Sequence, residues 1–362
     1  MSDFNLVELD SLEILVIVDN ELDPISPSPN PKVQQSGTLK DISWRSEPLA
    51  QQDRAECDRE IRMDEVCCSA HGLSLMITGT KGDKTHTILF DTGPEESAFE
   101  RNAKRLKADV GKIEAIQLSH WHRDHSGGML KVLQMVEEAR KKDSTKADPV
   151  IVDLHPARPD FRGMQPPGRN PFSFIADPKF EEIEQMGGKV SKNDQPHTVL
   201  DDMFLVSGEI PRVTAYEKGL KGGVRFDAKK EAWEVDTMMR DERLLMCKLK
   251  GRFILPGSKS MLTTSSDKGI VMFTGCSHAG VVNAARCAAQ LGSGTPMYAV
   301  MGGYHLADAD DQQMKSTASD LKALDTQLLL AGHCTGWRAK FEIQNQMPAR
   351  LVPSFVGSKF VL

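Results

Sequence analysis

Positive charge is in short supply in this chain. Its 362 residues carry 45 Lys and Arg against 51 Asp and Glu, for a net charge of -6. That balance disfavours a general nucleic-acid-binding surface, and no basic or aromatic strip compensates for it. The first twenty residues hold five acidic side chains and no basic one. Their apolar run ILVIV is too short and too poorly flanked for a signal peptide. No segment reaches the apolar length needed to cross a bilayer. The seven cysteines are odd in number and irregularly spaced, unlike a disulfide framework. Tandem repeats are absent, and the compositional bias is confined to one Pro-rich stretch. The expectation is a cytoplasmic protein with a small-molecule substrate and neither a nucleic-acid nor a membrane partner. Oligomeric state is not legible.

The segments that are present alternate in type. LEILVIVDN (12–20), HGLSLMITG (71–79), HTILFDTG (86–93), IEAIQLS (113–119) and PVIVDLHP (149–156) read as strands. Residues 96–110 and 126–142 have helical apolar spacing. Further on, LLMCKLKGRFIL, GIVMFTGCS, MYAVMGGYH and TQLLLAGHCTG read as strands, and VVNAARCAAQLG and QQMKSTASDLKALD as helices. Strands alternating with helices predict an α/β protein. We expect one domain over 1–362, with a Pro-rich loop at 21–60 and an insertion at about 157–265.

Chemistry gathers where strands end. QLSHWHRDHSGGML (117–130) places His120, His122, Asp124 and His125 directly after a buried strand. Cys276 and His278 follow GIVMFTG, His305 follows MYAVMGG, and His333 follows QLLLAG. Ligand sites in α/β proteins lie at such strand ends. On a loop leaving a strand, His120 and His122 can chelate one ion while Asp124 and His125 turn to a second. Imidazole and carboxylate suit zinc, iron or manganese.

HWHRDHSGG resembles the H-x-H-x-D-H signature of the metallo-β-lactamase-fold superfamily. FDTG at 90–93 resembles that superfamily's earlier strand-end aspartate. VDN (18–20), HGLSLMI, SGEIPR (207–212), FTGCSHAGVVN (273–283), GGYHL (302–306) and AGHCTG (331–336) resemble the subgroup of dihydropterin-ribofuranosylaminobenzene phosphate synthase-like proteins. These motifs run from about residue 12 to 340.

The resemblance implies an αββα sandwich, two mixed sheets flanked by helices. It also implies two divalent metal ions, zinc first, with iron or manganese as alternatives. His120 and His122 would hold one ion with a later histidine. Asp124, His125 and His333 would hold the other, with Asp91 orienting a ligand histidine. Many members carry a bridging aspartate in FTGD, where this chain has FTGC. Cys276 could bridge, or His278 could complete the site, and His278 is preferred; His155 is a further candidate.

Asp124 and His305 are the expected catalytic residues. Asp19, Glu209 and Arg212 are possible substrate contacts, the last two equally readable as a structural ion pair. The expected activity is hydrolysis of an ester, thioester, lactone or phosphoester by a hydroxide held at the ions. An iron-containing redox protein of the same fold, or a non-catalytic small-ligand binder, is the alternative.

Overall fold

The computed structural model describes residues 4–28, 30–49, 56–143, 148–250 and 268–362. Two sheets form its centre. In the first, eight strands lie in the order Lys189–Lys192, Ile151–Leu154, Ile113–Gln117, Lys84–Phe90, Ser74–Lys81, Ser11–Val18, Lys359–Val361, Gln34–Ser36. In the second, His197–Val199, Phe204–Val206, Leu245–Leu249, Gly269–Thr274, Met297–Gly303 and Leu328–Gly332 follow one another, with Glu8–Leu9 pairing beside Leu245–Leu249. Both sheets are mixed. Parallel pairs occur where a helix intervenes, as between Lys84–Phe90 and Ile113–Gln117 or between Met297–Gly303 and Leu328–Gly332.

Strand alternation builds the layers. Val271 and Phe273 point between the sheets, where they meet Ile14, Val16, Ile77, Ile88 and Phe90. Their neighbours Ile270 and Met272 point outward, against Val281–Leu291 and Asp311–Ala323. On the opposite outer face, Leu89, Ile116 and Leu118 pack on the helices Glu96–Arg105 and Met129–Lys142 through Phe99, Val132 and Val136. The result is helix, sheet, sheet, helix, as the αββα expectation requires.

Two expected segments differ in detail. The 21–60 stretch contains the strand Gln34–Ser36 and the helix Leu39–Arg45, which a Thr38–Asp41 capping box starts. The 157–265 stretch is only partly an insertion. It supplies Lys189–Lys192 to one central sheet and His197–Val199, Phe204–Val206 and Leu245–Leu249 to the other. What is added is a separate four-stranded sheet of Ala232–Val235, Gly223–Asp227, Phe161–Met164 and Phe172–Ser173. The GRFIL portion of the expected strand LLMCKLKGRFIL lies outside the described residues. Among the described residues, no helix is long and apolar enough to cross a membrane.

Candidate metal centre

Every element that carries a candidate ligand ends on the same edge of the sandwich. Ile113–Gln117 leads to His120, Gly269–Thr274 to Cys276, Met297–Gly303 to His305, and Leu328–Gly332 to His333. Several of these exits are backbone-strained. Asp91, Ser277, His305 and His333 adopt left-handed φ values of 59°, 62°, 48° and 45°. Non-glycine residues in that region cost on the order of 1–3 kcal/mol each and concentrate at functional sites. The helix after the cluster can start close to the sheet because Gly127 and Gly128 present no side chain. A Cβ at Gly128 would meet Thr92 O at 2.2 Å, and one at Gly127 would meet Pro94 O at 1.8 Å.

The donors converge in two groups. Asp124, His125, Cys276 and His333 offer ligand atoms within 4.8 Å of one another, and so do His120, Cys276 and His278. His122 completes the second group: its Nδ1 lies 3.0 Å from His120 Nε2 and 3.3 Å from His278 Nε2. In the first, Cys276 Sγ is 3.2 Å from His125 Nε2 and 3.1 Å from His333 Nε2. Asp124 Oδ2 is 3.3 Å from each of those two imidazoles.

Hydrogen bonds behind the rings fix which nitrogen faces inward. His125 Nδ1 donates to Asp91 Oδ2 at 2.6 Å. His120 Nδ1 donates to Ser119 Oγ at 2.9 Å, and that hydroxyl donates to Asp91 Oδ2 at 2.8 Å. His333 Nδ1 donates to Asn20 Oδ1, whose orientation is set by the Gly72 amide. All three rings therefore turn Nε2 toward a carboxylate, a sulfur or another imidazole. Imidazole nitrogens, a carboxylate and a sulfur converge at hydrogen-bond range, so the donor set fits metal ions. Nitrogen with sulfur and carboxylate is a combination that zinc and iron accept.

The electrostatics agree. Burial pushes His120, His122 and His278 below the ordinary imidazole range, His122 to about 3, so these rings are neutral. Burial opposes charge on His125 and His333 as well. There, however, nearby acidic groups, Asp124 among them, outweigh it, and His333 rises to about 9. Asp124 is held well below the carboxylate range, because His125 and His333 outweigh its own burial.

The remaining sequence candidates separate. His305 lies on the wall of the cavity that opens onto the cluster, its ring 4.5 Å from that of His278. His155 joins neither group. Its Nδ1 accepts from the Ala157 amide, and its carbonyl accepts from Trp121 Nε1. Asp19 is fully buried and accepts from the backbone of His333 and the hydroxyl of Ser354. Glu209 and Arg212 do not line the cavity and form a loose ion pair at 3.8 Å. Cys276 and His278 both place a donor atom in the cluster.

The sequence reading overlooked His71, Asn20 and Ser119. His71 Nε2 stands 3.6 Å from Asp124 Oδ2 at the cavity wall, and Asn20 carries the hydrogen bond that turns His333. VDN and HGLSLMI contained two of these residues, but a lone Asn or His at a strand end announces no partner. Phe174, from the added sheet, packs edge-on against His122 at 5.8 Å.

Comparison with known proteins agrees with this geometry. Residues 72–139, which contain the histidine cluster, match the metallo-beta-lactamase superfamily. The chain is 29% identical over 286 residues to 7,8-dihydropterin-6-methyl-4-(beta-D-ribofuranosyl)-aminobenzene-5'-phosphate synthase of Methanocaldococcus jannaschii, covering 75% of this chain and 83% of that protein. Its fold is shared with Tm1679, a metal-dependent hydrolase of the beta-lactamase superfamily, at a TM-score of 0.62 and 18% identity, over 96% of this chain and 98% of that one. The histidine segment thus carries a match to the metallo-beta-lactamase superfamily, and the layered fold around it is the one seen in Tm1679.

Proposed function

We propose that the chain is a metal-dependent hydrolase that cleaves an ester, thioester, lactone or phosphoester in a small molecule. The observation that carries this reading is the convergence of five imidazoles, the Asp124 carboxylate and the Cys276 sulfur at the floor of one open cavity. His120, His122 and His278 would hold one divalent ion. Asp124, His125 and His333 would hold the other, with Cys276 within reach of both. Ions bound there lower the pKa of water and polarise a substrate oxygen.

The chain's own groups supply the rest. Asp124 is partly open to the cavity, with 20% of its side chain exposed, and can accept a hydrogen bond from an attacking water. His305 stands on the wall beside His278 and can deliver a proton to the leaving group. Phe174 and Met164 offer an apolar flank, and Lys218 and Lys221 offer cationic groups on a lining that also carries Glu217, Asp308 and Asp310. The cavity, about 570 Å³, suits a small molecule with an apolar and an anionic part. The M. jannaschii relative is named as a synthase of a phosphate-bearing aromatic compound, which fits that division.

The test is metal analysis of purified protein, followed by a chelator-controlled panel of ester, thioester, lactone and phosphodiester substrates. Two equivalents of metal and activity lost on chelation are expected. Full turnover by metal-free protein overturns the reading. Iron in place of zinc, with a coloured protein, would instead favour redox chemistry at the same donors.

A further inference from the structure

The two ligand loops are far apart in the chain, His122 and His278 being separated by 156 positions. One tripeptide touches both. Asp241, Glu242 and Arg243 precede the strand Leu245–Leu249 and are buried, with relative exposures of 3%, 1% and 0%. Asp241 Oδ2 accepts from the amide of Trp121, the residue between His120 and His122, at 2.8 Å. Glu242 Oε1 accepts from the amide of His278 at 2.8 Å, and its Oε2 from the amide of Ala279 at 2.6 Å. The Arg243 amide donates to Ser119 O, and its guanidinium donates to Leu118 O and Asp153. A fourth buried charge comes from the added sheet. Arg162 pairs bidentately with Asp241 and donates to Trp121 O at 2.8 Å.

Burying two carboxylates and two guanidiniums is an expensive way to gain stability, since apolar packing of similar volume often does as well or better. What these charges achieve is directional. Three successive side chains fix backbone at 118, 121, 278 and 279, and so set the separation of the two loops. Single backbone hydrogen bonds between neutral groups would tolerate more slack than charge-assisted ones.

We propose that Asp241–Glu242–Arg243 is a positioning bracket for the metal centre, with Arg162 joining it to the added sheet. The bracket brings His278 within reach of His120 and His122. Arg162 also ties that geometry to the wall that carries Phe174. The assignment rests on the metal-centre reading above, and its residues touch ligand backbone rather than substrate.

Cobalt(II) titration of the full chain tests it, read by visible absorption and by competition with a chelator. Glu242→Gln keeps one acceptor and turns an amide donor toward the other backbone N–H. The expected result is a changed cobalt spectrum and affinity about 10–100-fold weaker at one position, as for other outer partners of ligands. Asp241→Asn combined with Arg162→Met leaves an acceptor for Trp121 but removes the buried Asp241–Arg162 pair, and should weaken binding as well. Val271→Ala, in the core between the sheets, is the control: it lowers the melting temperature without altering the spectrum.

Wild-type cobalt affinity and spectrum in folded Glu242→Gln overturn the bracket. No cobalt uptake by wild-type protein overturns the metal-centre reading instead. The bracket is then read from amide exchange at Trp121, His278 and Ala279, where at least about 10-fold faster exchange in the variant supports it and unchanged protection overturns it. Should Glu242→Gln fail to fold, the double variant carries both measurements with the same two outcomes.

Discussion

Asp91 Oδ2 lies 2.6 Å from His125 Nδ1, and both side chains are completely buried. The same oxygen accepts from Ser119 Oγ, which in turn receives His120 Nδ1. One carboxylate therefore sets the tautomer of one imidazole in each donor group. Asp91→Asn should lower metal affinity by about 10–100-fold, because an amide that keeps its oxygen on His125 and Ser119 Oγ turns its NH2 on the Ser119 backbone N–H, which Asp91 Oδ1 accepts at 2.7 Å. Competition titration with zinc checks this. Unaltered affinity would remove Asp91 from any orienting role.

Much of this site could be read from sequence because its donors are local to strand ends. His120, His122, Asp124 and His125 sit within six positions, and His278 and His333 follow unmistakable buried strands. The groups that aim those donors could not be read. Trp121 meets Asp241 across 120 positions, and Asp19 meets His333 across 314. No periodicity links such partners. Asp19, expected as a possible substrate contact, is buried and accepts from the His333 amide. The strand Gln34–Ser36 was hidden similarly: three polar residues become a strand because Lys359–Val361 offers them an open edge.

Glu217, on the wall of the same cavity, gives a pH prediction. Its carboxylate accepts from the amides of Val282 and Asn283 at the start of the helix Val281–Leu291, yet burial outweighs those bonds and raises it to about 7. A folded acid that holds its proton more tightly than the unfolded chain loses stability as pH rises. The loss begins near the ordinary glutamate value and is complete above about 7, and it amounts to at most about 3 kcal/mol. Urea unfolding at pH 5 and pH 7.5 checks the sign. Glu217→Gln should be less harmful, relative to wild type, at the higher pH; a penalty that grows with pH contradicts the assignment.

Removing metal should loosen the fold at the strand ends. With free metal about 1,000-fold above its dissociation constant, binding adds about 4 kcal/mol to stability. Chelation should lower the melting temperature of wild-type protein. It should leave the His120→Ala/His333→Ala double variant, which lacks a donor in each group, at one temperature with or without chelator. Calorimetry with and without chelator makes the comparison, and equal shifts in both proteins would mean that the stabilising ion lies elsewhere.

Cys276 separates a shared centre from two independent ones. Its sulfur belongs to both donor groups, whereas His278 belongs to one. Burial raises the thiol well above its ordinary range, so sulfur becomes a ligand only when an ion displaces its proton. If the two positions share that sulfur, Cys276→Ser should weaken both, and His278→Ala should weaken one while sparing the other. Metal release from cobalt-loaded protein also distinguishes the roles, because a thiolate ligand gives an intense near-ultraviolet charge-transfer band. Loss of that band in Cys276→Ser, together with weaker binding of both equivalents, assigns a bridging sulfur. An unchanged spectrum with one equivalent lost only in His278→Ala assigns imidazole alone and leaves Cys276 as a packed neighbour.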